Sequence, residues 1–178
     1  MSDRTPAGRA GFWHPVTLIA TWFGVGLLPK APGTWGSLSA LLYAWVIQTV
    51  AGPVGLAVAF ALVFPLGVWA ANAYARLKGE RDPGAVVVDE VAGQWLTVLV
   101  MPPDLVLYAV GFALFRFFDI VKVWPASLIE RRVGGGLGIM LDDIVAAVYA
   151  GAALFALSGL LTGSLRFAVP GALPGGAP

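Results

Sequence analysis

The chain has 178 residues, of which 58% are hydrophobic and only 12% charged, and its mean hydropathy is +0.83. Soluble domains carry about 25% charged residues, so half the usual charge is missing and an integral membrane protein is the leading class. A net charge of +1 gives no electrostatic reason for nucleic-acid binding, and the lack of cysteine excludes a disulfide framework and a thiolate nucleophile.

Residues 1–10 are polar with Arg4 and Arg9, and no small-residue cleavage signal follows, so no cleaved signal peptide is expected. Residues 12–28 are apolar but interrupted by His14, Pro15 and glycines, which suits an interfacial helix. The single histidine fits an interfacial hydrogen-bonding role better than a catalytic one. Residues 27–37 hold two prolines and two glycines and read as a loop, with Thr34 or Ser37 able to cap the next helix. No charged residue occurs between Lys30 and Arg76. One buried helix cannot use that much apolar chain, whereas two crossings can; they are placed at 38–51 and 54–74, separated by Gly52-Pro53. A polar connection at 76–82 leads to a third apolar helix at 85–101, and Pro102-Pro103 turns the chain into a fourth at 105–118. The longest polar region, 119–143, precedes a last apolar helix at 144–161. The expected fold is an all-α polytopic membrane bundle of about five short transmembrane or re-entrant helices plus the N-terminal interfacial helix. It forms one domain over 1–165, with a Gly/Pro/Ala-rich disordered tail at 166–178.

With those crossings, ten of the eleven basic residues fall on one side and Arg166 on the other. The positive-inside rule makes the first side cytoplasmic. The third and fourth helices are short for a hydrocarbon core of about 30 Å, so they either cross or form a partly submerged hairpin. Both options leave three acidic clusters on the same side.

Those clusters hold Asp89 and Glu90, Asp119, and Asp142 and Asp143: half of the 10 carboxylates. A carboxylate in or beside a hydrocarbon layer is costly unless it is paired, hydrated or bound to a cation. Asp89-Glu90 is also compatible with an acidic first turn favoured by the helix dipole, although the preceding Val86-Val87-Val88 argues against plain solvation. Arg116, Asp119 and Lys122 fall at i, i+3 and i+6 on one helical face. They can form a self-neutralising stripe, or hold a metal through the Asp and a phosphate through the two cations. Gly134–Gly138 ahead of Asp142-Asp143 reads as a glycine-rich turn able to cradle a phosphate, with Asp142 alternatively a helix cap. The segment from Lys30 through Thr34 to Ser37 offers a cation and two hydroxyls, or is an ordinary interfacial turn with Trp35 at headgroup depth. Trp22, Trp95 and Trp124 suit belt or packing positions.

Acids and bases gathered at a lipid surface suggest a phosphate-bearing headgroup. A cysteine phosphatase, a two-histidine mechanism, an Asp-x-Asp phosphoenzyme and a Walker A loop all lack their residues here. What remains is carboxylate-held Mg²⁺.

Four ordered stretches resemble the bacterial phosphatidylglycerophosphatase A family: Gly24 to Ser37 (G-x-G-L-x-P-x-x-P-G-T-x-G-S), Asp89 to Trp95 (DEVAGQW), Phe115 to Pro125 (FRFFDIVKVWP) and Arg131 to Ala146 (RRVGGGLGIMLDDIVA). The resemblance runs from about Trp13 to Tyr149. It implies Mg²⁺-dependent hydrolysis of phosphatidylglycerol phosphate to phosphatidylglycerol and phosphate at the cytoplasmic face of the bacterial inner membrane, with membrane lipids as the other partners. Combined with the residue reading, it assigns Asp89, Glu90, Asp119, Asp142 and Asp143 to the metal and catalysis. Lys30, Thr34, Arg116 and Lys122 would hold the phosphate, with Arg131 or Arg132 as weaker candidates. The chain departs from some relatives by carrying Gly134 in place of a histidine and Val123 in place of a proline. The first departure removes one histidine route and favours metal-activated water. A phosphatase for another phospholipid headgroup, and a non-catalytic membrane scaffold or transporter subunit, are the competing expectations.

Overall fold

A computed structural model describes residues 11–125, 128–129 and 132–162; the tail at 166–178 and Arg131 lie outside them. Among the described residues the secondary structure is entirely helical: α1 (Pro15–Ala20), a 3₁₀ turn (Val25–Leu27), α2 (Pro32–Lys78), α3 (Val88–Val98), α4 (Leu105–Val121) and α5 (Gly135–Thr162). Two of these, α2 and the 135–159 part of α5, are long and apolar enough to cross a membrane. The protein is an all-helical membrane protein.

The N-terminal segment differs from expectation, because 12–28 is not one interfacial helix. It makes the six-residue α1, capped by His14 Nδ1 accepting from Val16 N–H at 3.3 Å, and then turns through positive φ at Trp22, Phe23 and Gly24. The loop expected over 27–37 is also shorter. Pro32 opens α2 at its first position, where a missing N–H costs nothing, and Ala31 takes the cap conformation at φ 48°. Neither Thr34 nor Ser37 caps the helix, and the Ser37 hydroxyl donates back to Gly33 O at 2.9 Å.

α2 is not one rod. Gly52 breaks it at φ 65°, ψ −170°, a region that essentially only glycine occupies, and Pro53 disfavours a helical conformation at the residue before it. A Cβ at Gly33 would meet Glu90, and one at Gly67 would lie 3.3 Å from Val88. An unbroken helix would hold Gly33 and Gly67 roughly 50 Å apart. The arms at 32–51 and 53–78 are therefore an antiparallel hairpin, as the Gly52-Pro53 break predicts. Along its outer side Leu42, Val46, Val50, Val54, Val58 and Leu62 are all exposed, an apolar surface that water would not stabilise and lipid does.

The inner side of the hairpin is made of small residues. Gly36, Ala40 and Ala44 recur every fourth position and let the first arm approach α3 closely. Polar clasps fix the register: Trp95 Nε1 donates to Ala40 O at 2.9 Å, and Gln48 Nε2 donates to Val98 O at 3.0 Å. Trp95 also meets Trp22 edge-to-face at 5.7 Å, so both tryptophans pack in the core rather than in a belt, whereas Trp124 is exposed. α3 is shorter than the expected 85–101. Its 11 residues rise only about 16 Å, half of a hydrocarbon core, so α3 does not cross by itself. α4 runs antiparallel to it, since Gly93 packs on Phe115 and Gly111 on Val98. α5 runs parallel to α3, with Gly93 against Asp143 and Gly151 against Thr97.

Candidate active site

This packing gathers the N-terminal ends of α2, α3 and α5 and the C-terminal ends of α4 and the second hairpin arm at one end of the bundle. There they enclose a cavity of about 920 Å³. Asp89 and Glu90 sit in the first turn of α3, and adjacent helix positions point about 100° apart. A third element must complete any shared site, and α5 supplies it. One oxygen from each of Asp89, Glu90 and Asp143 lies within 4.8 Å of the others. Gly93 permits this approach: a Cβ there would stand 2.6 Å from the Phe115 ring and 3.2 Å from the Asp143 carbonyl.

The trio is sequestered. Asp89 is 8% and Asp143 4% exposed. Burial pushes the Asp89 carboxyl well above its usual value, and the charge of Glu90 adds to the shift. Burial also pushes Glu90 up to about 8, against the pull of Arg116. Three negative charges in so little water are unfavourable without a counter-ion. Glu90 Oε2 and Asp143 Oδ2 are buried with no hydrogen-bond partner among the described residues, as is Asp142 Oδ1. Hard oxygen donors with open lone pairs fit Mg²⁺ or a similar divalent cation. Asp89, Glu90 and Asp143 are the residues that would hold it.

Asp119 and Asp142 line the same cavity but differ in state. Asp119 Oδ2 lies 2.6 Å from Arg116 Nη1, and Asp142 Oδ2 lies 2.7 Å from Lys122 Nζ. Arg116 also reaches to 3.8 Å from Glu90 Oε1 and so bridges the two acidic groups. The expected single-face row is only half present. Arg116 and Asp119 share the last turns of α4, but Lys122 ends the helix at φ 49° and reaches α5 instead.

The glycine-rich stretch is the entry to and first turn of α5, with Gly134, Gly135 and Gly138 lining the cavity, and Asp142 lies about two turns inside the helix rather than at its cap. Gly136 presses on the second hairpin arm, its N–H donating to Asn72 Oδ1 at 3.5 Å. Lys30 and Thr34 do not line the cavity, although their neighbour Gly33 packs on two residues that do: a Cβ there would collide with Glu90 and lie 3.2 Å from Arg116 Nη1. Arg132, exposed, does line it.

Other lining residues carry no functional signal in the sequence. Asn72, Arg76, Glu80, Arg81 and Asp82 belong to the wall, yet in sequence they read only as the end of a crossing and a polar connection. Gln94 is fully buried one turn beyond Glu90, with both amide atoms lacking partners among the described residues.

The family model described as phosphatidylglycerophosphatase A matches residues 18–158. A Haemophilus influenzae protein named phosphatidylglycerophosphatase A is 35% identical over 160 residues, covering 88% of this chain and 97% of that one. An Escherichia coli protein of the same name is 39% identical, covering 80% and 81%. A Bacteroides thetaiotaomicron protein, provisionally named a phosphatidylinositol-3-phosphatase, is 41% identical, covering 74% and 86%. No solved structure matches the chain. A match over most of the length, including every helix that frames the cavity, means that the chain belongs to the phosphatidylglycerophosphatase A family.

Proposed function

We propose that this protein is a Mg²⁺-dependent lipid phosphatase that hydrolyses phosphatidylglycerol phosphate to phosphatidylglycerol and inorganic phosphate. One observation carries the reading: three carboxylates, two of them on buried residues, converge without enough partners in the cavity that Arg116 and Lys122 also line. Its family relatives bear the matching name.

A bound Mg²⁺ supplies charge neutralisation at the phosphoryl group and a more acidic water. The chain's own residues do the rest. Arg116 and Lys122, each held by a carboxylate, point charge-assisted donors at the equatorial phosphate oxygens. Asp119 and Asp142 keep those cations oriented, so little reorganisation is needed at the transition state. Water attacks phosphorus, the P–O bond to the glycerol breaks, and the departing alkoxide gains a proton while a cavity carboxylate accepts one from the water. Lys30 and Thr34, beside Gly33, flank the headgroup as it enters.

We place the protein in the bacterial inner membrane as a multi-pass protein with the cavity on the cytoplasmic face. Lys30, Arg76, Lys78, Arg81, Arg116, Lys122 and Arg132 all belong to the segments framing the cavity end, which the positive-inside rule assigns to the cytoplasm. The relative named for a phosphatidylinositol phosphate makes a second headgroup the competing substrate. Purified protein assayed for phosphate release from phosphatidylglycerol phosphate, phosphatidylinositol 3-phosphate and phosphatidic acid, with Mg²⁺ and with chelator, separates the two. Fastest release from phosphatidylglycerol phosphate, lost in chelator, is expected. A preference for either other lipid would overturn the substrate assignment.

A further inference from the structure

A second, smaller hollow of about 430 Å³ lies beside the catalytic cavity, between the second hairpin arm and α1. Its apolar walls are Trp69, Ala73 and Leu77 from the arm and Val16 from α1, and His14, the cap of α1, also lines it. Two polar residues, Asn72 and Arg76, line both hollows and form the partition between them. They stand at i and i+4, on the helix face that also carries Trp69, Ala73 and Leu77. Asn72 is engaged by Gly136. Arg76 differs from the two catalytic cations: Arg116 and Lys122 have carboxylates at 2.6 and 2.7 Å, whereas Arg76 is exposed and has no ion pair among the described residues.

The substrate of the proposed reaction carries two phosphates. The terminal phosphomonoester is released, and the phosphodiester between the two glycerol units stays with the product. A site holding the monoester between Arg116 and Lys122 must send the rest of the lipid out of the polar cavity toward an apolar surface. Asn72 and Arg76 stand where the polar cavity meets the neighbouring hollow. We infer that Arg76 binds the retained phosphodiester of the lipid substrate, and that the adjoining hollow receives the diacylglycerol end. This rests on the proposed phosphatase activity and adds a basis for headgroup choice: a lipid phosphomonoester with no phosphodiester behind it leaves Arg76 unused. Arg suits the task because its planar fork matches two non-bridging phosphate oxygens.

The test is steady-state phosphate release by the purified full chain in detergent micelles, comparing wild type, Arg76→Ala, Arg76→Lys and Lys78→Ala. Lys78 is two residues further along, lines neither hollow and lies over the Tyr74 ring at 5.4 Å. It therefore controls for loss of surface charge. Arg76→Ala should lower kcat/KM for phosphatidylglycerol phosphate about 10- to 100-fold, chiefly through KM, and much less for phosphatidic acid of the same acyl chains. Inhibition by the product phosphatidylglycerol should weaken by a similar factor, while inhibition by inorganic phosphate should hardly change. Arg76→Lys should recover part of the loss, and Lys78→Ala should match wild type. Equal losses on both substrates, or unchanged product inhibition in Arg76→Ala, would overturn the assignment. A wild type that releases no phosphate from phosphatidylglycerol phosphate would instead remove the proposed activity, and the subsite with it.

Discussion

Two kinds of carboxylate share one cavity. Asp119 and Asp142 are each neutralised by a cation within 2.7 Å. Asp89, Glu90 and Asp143 crowd within 4.8 Å of one another, and Arg116 approaches them only to 3.8 Å, at Glu90. The difference follows from where the helices end. α4 terminates beside the cavity and brings its basic residues with it, whereas α3 begins there straight from an apolar run. One pair of acids therefore orients cations, and the other three acids need one. The lesson is that acidic clusters of similar appearance in sequence divide their roles by which helix end faces them.

Substituting the crowded set should have the largest effect. Asp89→Asn or Asp143→Asn is expected to lower phosphate release on the order of 10³-fold, since each would remove a charged ligand from the proposed metal site; a loss under tenfold in both would erase the distinction. Asp119→Asn should cost less, about 10- to 100-fold, because the proposed metal ligands stay intact and only the orientation of Arg116 suffers. If Asp119→Asn proves as damaging as Asp89→Asn, the two sets are not separate. Gly33→Ala probes the contact between α2 and the trio, since its Cβ would displace the Glu90 carboxylate. Activity should fall about tenfold by misplacement of the site, with a small change in melting temperature. Gly52→Ala is the smallest for activity and serves as a remote comparison. No atom crowds the position, so the cost is backbone strain at positive φ, about 1–3 kcal/mol of stability, with activity per folded molecule retained.

Much of this arrangement was legible in the sequence because its signals are chemical oppositions. The charge-free run between Lys30 and Arg76 contained a hairpin, and Gly52-Pro53 marked its bend, since backbone rules there are local. Asp89, Glu90 and Asp143 stood out because carboxylates in apolar surroundings demand a reason. Less legible was anything set by packing between distant elements. The true start of α2 at Pro32 depends on an unusual positive φ at Ala31, which no propensity favours. The division of the five acids depends on Lys122 leaving α4 for α5, which helical periodicity places on the wrong partner. Arg76 and Asn72 read as the end of a crossing because their importance comes from α1 and α5 folding against them.

The central claim, that the crowded carboxylates hold a divalent cation needed for lipid phosphate hydrolysis, is tested most directly by one titration. Purified protein is stripped with chelator, and phosphate release from phosphatidylglycerol phosphate is followed as free Mg²⁺ is restored. Near-zero release in chelator and saturable recovery in wild type are expected, with no comparable recovery in Asp143→Asn. Release that persists in chelator, or an Asp143→Asn titration that overlays wild type, would contradict it.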